Sequence, residues 1–479
     1  MSASAQARSH DPDLADTAAA ARGAWRAAAI LAIILTGQFM AVLDASIVNV
    51  AIPSIRSGLG TSGSALQLIV AGYVIAYAVL LVTGARLGDR FTQRRAFIAG
   101  LALFTVASLA CGLAWNAVSL IVFRFIQGAG AAAMIPQVMT LIQRDFSGQA
   151  RAKALSVYSA IISGGVVVGQ VLGGLIVDAD LFGSGWRGVF LVNVPVGAVL
   201  LVLAPRVLPS DGPRFDRKLD LAGLTVLTVS VLLLVVPLVL GGEQDWPRWT
   251  WIALGASVFG AVAFVLVERH VARRGGAPLF AREALRAPGL LLTAATLLVV
   301  MATFGGWMFV MAIHLQNTLG YTALHAGLVF VPMGAAFAVA SLNWQRVPGR
   351  FHRAMVPLAL VLGAATMTAL AAMLRDGAEP GPVALVVFGL MGMGFGLAFT
   401  PLMTRTLANV PRAVAADASG ILVTHVQLGI VVGIASFGTV FLSLAGASTL
   451  SAARALGVTG TAEGVTVLLA AAFSARAAR

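Results

Sequence analysis

Long apolar runs separated by short polar gaps dominate this chain. Thirteen of them, at roughly 27–55, 65–85, 96–114, 117–142, 154–178, 189–205, 219–240, 250–267, 288–313, 324–342, 354–374, 381–404 and 418–445, are long enough to cross a bilayer. A helix needs about 20 apolar residues to span about 30 Å of hydrocarbon. The pattern therefore predicts an all-α polytopic membrane protein. After residue 445 the only apolar run is Val465–Phe473. Nine residues are too few to cross as a helix, so a fourteenth span is expected to be short and irregular, or truncated. The first run is too long for the core of a signal peptide and carries Asp44, so it reads as a retained span.

The gaps fix the orientation. With the N-terminus and every alternate gap assigned to the cytoplasm, those segments hold 24 of the 32 basic residues, and the opposite gaps hold five: Arg56, Arg187, Arg248, Arg375 and Arg454. Basic residues are retained on the cytoplasmic side, so the N-terminus is expected inside an inner, cytoplasmic membrane.

Two halves are detectable. Arg86-Leu-Gly-Asp-Arg90-Phe91 between the second and third spans pairs with Arg346-Val-Pro-Gly-Arg350-Phe351 between the tenth and eleventh. Gly165-Val-Val-Val-Gly169 in the fifth span pairs with Gly429-Ile-Val-Val-Gly433 in the thirteenth. Both matches fit one alignment if spans 1–6 form one half, spans 7 and 8 are inserted, and the second half starts at span 9. The expected organisation is a disordered cytoplasmic segment 1–24, an N-terminal six-helix half 25–206, two inserted spans and a basic linker 207–287, and a C-terminal half 288–479. Internal repeats of this kind are typical of secondary transporters, whose substrate site lies near the midplane between the repeats.

Composition narrows the classes. The chain is 59% hydrophobic and 11% charged, with mean hydropathy +0.92, unlike a soluble domain. Its pI near 11.3 arises from short membrane-flanking loops, so lipid headgroups, and not nucleic acid, explain the charge. One cysteine, Cys111, leaves no disulfide framework and no thiolate metal site. No Gly-rich Lys-Ser/Thr phosphate loop is present. No loop gathers the polar catalytic cluster of a membrane transferase, and the spans are too apolar for a channel lining. No enzyme activity, metal or cofactor is expected. Arginine outnumbers lysine 30 to 2, a usage found in high-G+C bacterial genomes.

Within the spans, Asp44 and Arg124 are the acid and base that the pattern places deepest. Either alone at the bilayer centre costs about 2.5–3.5 kcal/mol or more, so such residues face the bundle interior and are functional by default. Burial favours the protonated aspartic acid and a neighbouring arginine the anion, so a carboxyl held between them can gain and lose a proton as its surroundings alternate. A fixed ion pair holding two helices together is the plainer alternative. Gln127 and Gly128 share a helical face with Arg124. His425 in span 13 is the second proton carrier to consider. Gly165, Gly169 and Gly173, with Gly174 beside them, form a small-residue stripe on which another helix can approach closely. Gln38, Tyr73, Tyr77, Gln127, Phe304, Trp307 and Phe309 form the aromatic and amide set expected to line a pocket. The second half carries Leu390 where the first has Arg124, and no acid is expected in its spans. That pattern favours neutral, weakly acidic or monocationic amphiphiles.

Five segments, in order, resemble a known family: Leu43-Asp44-Ala-Ser-Ile47-Val-Asn49-Val-Ala-Ile-Pro53; Gly84 to Arg95; Arg124-Phe-Ile-Gln127-Gly128-Ala-Gly130; the Gly165/Gly169/Gly173 ladder; and Trp186-Arg187-Gly-Val-Phe190-Leu-Val-Asn193-Val-Pro195-Val-Gly197. They closely resemble the major facilitator superfamily, and within it the fourteen-spanner drug:proton antiporters, over about residues 25–445. The resemblance implies two six-helix halves with two inserted helices, alternating access, and a conformational latch at Gly88, Asp89, Arg90 and Arg94. Departures are Ala85 and Thr92, where the loop motif usually has glycine, and Gln170, where the antiport motif has proline. Losing that helix-bending proline weakens the inference to strict exchange. Asn193 and Pro195 are expected only to shape the start of span 6.

The reading is proton-driven efflux of hydrophobic or amphiphilic small molecules, antibiotics among them, by a monomer whose partners are lipid, substrate and protons. An uptake carrier of the same fold, or a non-transporting membrane sensor, would carry the same residues.

Overall fold

The computed structural model describes residues 12–180, 183–209, 220–276, 278–280, 282–410, 415–445 and 448–477; the side chains of residues 12–24 and of Asp89 are among those it does not describe. Every regular element among the described residues is helical. The N-terminal half comprises α1 (Pro12–Leu59), α2 (Gly63–Phe91), α3 (Gln93–Gly112), α4 (Ala117–Asp145), α5 (Gly148–Ala179), α6 (Gly188–Leu191) and α7 (Asn193–Val207). Two helices follow, α8 (Leu221–Gly241) and α9 (Arg248–Arg273), with the short α10 (Arg282–Leu285) in the linker. The C-terminal half comprises α11 (Leu290–Ile313), α12 (Ala323–Val329), α13 (Val331–Asn343), α14 (His352–Leu374), α15 (Pro382–Ala408), α16 (Ala415–Leu444) and α17 (Thr449–Ala477). Thirteen helical stretches among the described residues are long and apolar enough to cross a membrane. The 32-residue α5 carries a shorter apolar stretch, Val168–Ala179, and α6–α7 and α12–α13 each form one of the thirteen as a broken helix.

Polar caps set the helix ends that apolar content alone leaves open. Ser62 accepts from the Ala65 amide at the start of α2 (3.3 Å), and Asn116 and Ser119 close a reciprocal capping box at α4. Asp220 accepts from Gly223 N–H at α8 (2.8 Å), satisfying amide donors that have no intrahelical partner. Thr92 joins α2 to α3 at φ 99° and ψ 148° while its hydroxyl caps Arg95. That region of backbone space is essentially glycine's, which gives the usual glycine of this loop a physical reason.

Two expectations need correcting. The last span is a regular 29-residue helix, α17. Alanine, glycine and threonine lower its mean hydropathy to 1.5, against 2.6 for α8, and such small residues suit a helix packed against α14, α11 and α16. The N-terminal segment is helical from Pro12, not disordered throughout residues 1–24. Its alanine-rich stretch is also the best helix-forming composition, and proline suits a first turn.

Within each half the helices cross on small residues. A Cβ at Gly128 of α4 would fall on the Tyr73 carbonyl oxygen of α2, so the two backbones are in direct contact. The inserted α8 and α9 pack on each other, and α8 also touches α2 and α16. The outer faces of α9 are bare apolar surface, with Phe259 and Ile252 strongly exposed.

The halves meet along two seams. At one end the Asp178 carboxylate of α5 accepts from the Ala323 and Leu324 amides that open α12 (3.1 and 3.0 Å). A Cβ on Gly174 would lie 2.6 Å from the Ala323 carbonyl oxygen, and one on Gly327 the same distance from that of Gln170. Gln316 donates to the Val50 carbonyl of α1 at 3.0 Å. Along the other seam α2 lies against α16, from Gln67–Thr439 (3.2 Å) to Val82, 3.6 Å from a Cβ placed on Gly420.

The crossing by α17 is testable. In a Cys111→Ala background, single cysteines at Ser451 and Ala477 should be labelled by an impermeant maleimide from opposite sides of the membrane. Labelling from one side would make α17 a re-entrant segment. Thr92→Gly, which relieves about 1–3 kcal/mol of backbone strain and loses a cap worth about 1 kcal/mol, should leave the melting temperature unchanged or raised. Thr92→Val, strained and uncapped, should lower it.

Candidate functional site

Asp44 lies midway along α1, and its carboxylate is completely buried. Four side chains from three further helices converge on it or on its ligands. Arg124 of α4 donates to Oδ2; Gln127 of the same helix and Asn193, the first residue of α7, donate to Oδ1 at 2.8 and 2.9 Å. Gln127 also accepts from Arg124 (2.7 Å) and donates to Ser108 of α3 (2.8 Å). Arg124 spends its Nε on the Ile69 carbonyl of α2 (3.1 Å), and its guanidinium lies 4.5 Å from the Tyr73 ring centroid and 5.6 Å from that of Phe190. Its Nη2 has no partner.

Two fully buried opposite charges are tolerable only with such a complement of donors and acceptors. The i, i+3 spacing of Arg124 and Gln127 puts both on the face of α4 turned to α1. Chemically, the arrangement can hold a carboxylate against a guanidinium and two amides, and protonating the carboxyl would remove the charge that strengthens all three contacts. The sequence spacing brings Asp44, Arg124 and Gln127 together; Asn193, expected only to shape a helix start, is a direct partner of the aspartate. The Trp-Arg…Asn-Val-Pro segment was the signal for it. Cys111 adds a thiol 3.8 Å from Gln127 Oε1.

The remaining predicted residues fall into separate groups. Tyr73 donates to the Ala41 carbonyl (3.1 Å) and Tyr77 lies next to it on α2, both buried. Gln38 on α1 is buried with Oε1 unpartnered, and Gln170 on α5 is buried with neither amide atom partnered. Phe304 of α11 packs with Phe337 of α13 (6.3 Å) and Phe395 of α15 (5.8 Å), and Phe337 touches Phe399 (6.1 Å). Trp307 and Phe309 sit deep within the C-terminal half, fully buried. His425 of α16 turns its Nδ1 to the Ile421 carbonyl of its own helix (2.8 Å).

The glycine ladder faces α1. Cβ atoms at Gly165 and Gly173 would lie 2.9 Å from Val42 Cγ1 and 2.7 Å from Ile47 Cγ1, and one at Gly169 would collide with Ser46 Oγ. Gly174 alone of the set faces the other half. At the loop, a Cβ on Gly88 would strike the Gln137 side chain, and Gln137 donates to the Gly84 carbonyl (2.8 Å). Arg90 lies over Phe91, Arg94 donates to the Pro205 carbonyl at the end of α7, and Arg86 donates to the Pro278 carbonyl of the linker. The side chain of Asp89 lies outside the described residues. Glu463 of α17 is fully buried, so the expectation of no acid in the second half's spans is wrong. It stands outside the longest apolar runs, in a segment too rich in small residues to read as a span. The inference from that absence to substrate charge falls with it.

Thirteen membrane-length helical stretches among the described residues, in two halves of which the first encloses a buried charge cluster, define a polytopic membrane protein of transporter architecture. The chain belongs to the Major Facilitator Superfamily, whose family model matches residues 34–434. It is similar to a probable actinorhodin transporter of Streptomyces coelicolor, 37% identical over 423 residues, covering 87% of this chain and 73% of that one. It is also similar to the multidrug resistance protein Stp of Mycobacterium tuberculosis, 34% identical over 415 residues, covering 86% and 75%. In fold it resembles a bacterial homologue of the human lysosomal transporter Spinster, solved inward-facing and unoccupied, at TM-score 0.69 and 16% identity over 95% of this chain and 97% of that one.

Removing one member of the buried pair leaves the other uncompensated. Asp44→Ala and Arg124→Ala should each cost about 3–5 kcal/mol, and the double variant should cost less than their sum, read by thermal melting in detergent. Asn193→Ala should cost about 1.5–3 kcal/mol, the range for a hydrogen bond to a charged group.

Proposed function

We propose that the chain exports hydrophobic or amphiphilic small molecules across the cytoplasmic membrane by alternating access, driven by protons. The observation that carries this is the Asp44 cluster: a buried carboxylate whose donors come from α4 and α7, with a further polar link to α3. Protonation of Asp44 removes the charge that Arg124, Gln127 and Asn193 compensate, so it changes the energy of that packing. A side chain of this kind is where a proton can be exchanged for a change of shape.

The positive-inside distribution supports a cytoplasmic N-terminus. In that orientation the Asp178–α12 seam lies on the outer side, and the conformation described is closed outward. The half-buried Phe304, Phe337 and Phe399, with the unpartnered amides of Gln38 and Gln170, offer apolar faces and a few hydrogen-bonding atoms, the chemistry of an amphiphile site. The names of the relatives, a probable actinorhodin transporter and a multidrug resistance protein, support export over uptake. One proton moving down 100 mV releases about 2.3 kcal/mol, enough for a roughly fifty-fold substrate gradient.

In proteoliposomes an imposed pH gradient should drive accumulation of a lipophilic dye. Asp44→Asn, which preserves shape and an acceptor for Arg124, should abolish gradient-driven transport while leaving the protein folded. Full-rate coupled transport by Asp44→Asn would sink the assignment of Asp44 and pass the role to His425.

A further inference from the structure

The C-terminal half buries an acid of its own, and nothing compensates it. Glu463 of α17 is wholly inaccessible, and neither carboxylate oxygen has a hydrogen-bond partner. Its carboxyl lies over the backbone of α11: a Cβ on Gly306 would come within 2.6 Å of Oε1 and 2.8 Å of Phe437 Cδ2 of α16. Three helices therefore meet at this one group. A helical turn earlier, a Cβ on Gly460 would lie 3.0 Å from the Trp307 ring, whose indole N–H is likewise buried and unpartnered. The Thr459 hydroxyl is a third orphan on the same helix.

Among the described residues no cation is placed to neutralise it. Helix α11 has no titratable residue. At 1.5 Å per residue, His314 in the following π-helical turn is about 12 Å along from Gly306. On the same rise, His425 is about 18 Å and Asp417 about 30 Å along α16 from Phe437. Helix α14 carries only His352 and Arg353 in its first turn, about 28 Å by the same measure from Ala371, which adjoins Gly460. Arg454 on α17 itself is about 14 Å away along the axis. Arg375, beside Gly457, is exposed and 3.7 Å from Asp376. A buried carboxylate with no partner is costly, and taking a proton removes that cost.

The group also lies behind a seam between the halves. Phe437 shares the Gly306 site with it, a Cβ on the adjacent Gly438 would lie 2.7 Å from Gln67 Nε2 of α2, and Thr439 contacts Gln67 Oε1 (3.2 Å). One turn of α16 thus connects the α2–α16 contact to the carboxyl. We propose that Glu463 is a second proton-binding site of this transporter, loaded in the conformation described and emptied when α16 moves away from α2. On emptying, the O–H bond breaks, the electron pair stays on the carboxylate, and the proton passes to water entering between α11, α16 and α17. Asn193 and Glu463 lie at about the same distance from the C-terminal ends of their helices, Val207 and Ala477, so each half carries a polar group at corresponding depth in its last span.

This extends the proton-driven reading, but its test does not depend on Asp44. Infrared difference spectra of the lipid-reconstituted protein across a pH step should contain a deuterium-sensitive carboxylic-acid carbonyl band that Asp44→Asn retains and Glu463→Gln loses. The proton-to-substrate ratio, from the pH gradient that just balances the substrate gradient, should fall by one in Glu463→Gln. An unchanged ratio, or a spectrum in which Glu463→Gln loses no band, overturns the proposal. Should Glu463→Gln not fold, Glu463→Asp must shift the band; a band at the same frequency, or none in the wild type, overturns it equally. Coupling that survives Asp44→Asn refutes the Asp44 assignment and leaves this result intact.

Discussion

A carboxylate and a guanidinium, both sealed from water, hold the N-terminal half together. Neither is tolerable alone in hydrocarbon, and their mutual attraction repays desolvation only when other groups occupy the remaining donors and acceptors. Asp44 and Arg124 meet that condition through Gln127, Asn193 and the Ile69 carbonyl. Those partners lie on α2, α4 and α7, with Ser108 of α3 bonded behind Gln127. Loss of either charge would strand the other, so the cluster ties α1 to these helices. The free Nη2 of Arg124 is the one donor of the cluster left without a partner.

The seams between the halves are built differently. Gly174 and Gly327 bring backbones together, while Asp178 binds two helix-opening amides. Amide–carboxylate bonds at a helix start can be exchanged for water, and small residues keep few side chains interlocked. The α1–α5 contact, where the glycine ladder meets Val42, Ser46 and Ile47, lies inside one half. The ladder therefore sets how closely the helix carrying Asp44 approaches α5, and α5 in turn carries Gly174 and Asp178 to the other half.

Most of this architecture was legible in the sequence because hydrocarbon imposes one dominant pattern. Runs of about 20 apolar residues and segregated arginines needed no tertiary information, and five motifs in register pointed to the family. Asp44, Arg124 and Gln127 were legible because a charge within a span has few other uses. What escaped was set by packing. Helix α17 is alanine- and glycine-rich because it lies in a groove of the C-terminal half, so its apolar signal is diluted and Glu463 goes unseen with it. Asn193 escaped because an amide beside a proline suits a helix start equally well. Trp307, flagged for its mid-span position, faces α17 and Phe388, a direction that periodicity alone does not give.

The two halves share a fold and differ in how they treat buried charge. The first answers an acid with a base, so protonating Asp44 leaves Arg124 uncompensated and the whole cluster must rearrange. The second has no such base: Leu390, at the position corresponding to Arg124, is 37% exposed and faces outward. An acid without a counter-charge resists ionisation until water or a donor reaches it, so its protonation follows packing instead of directing it. In this arrangement the halves have complementary tasks. On the proposed reading, proton loss at Asp44 restores a clamp, whereas proton loss at Glu463 follows the entry of water between α11, α16 and α17. A transporter built this way can tie the order of its proton steps to the order of its helix movements, with the paired charge setting the tightness of one half and the lone acid reporting the opening of the other.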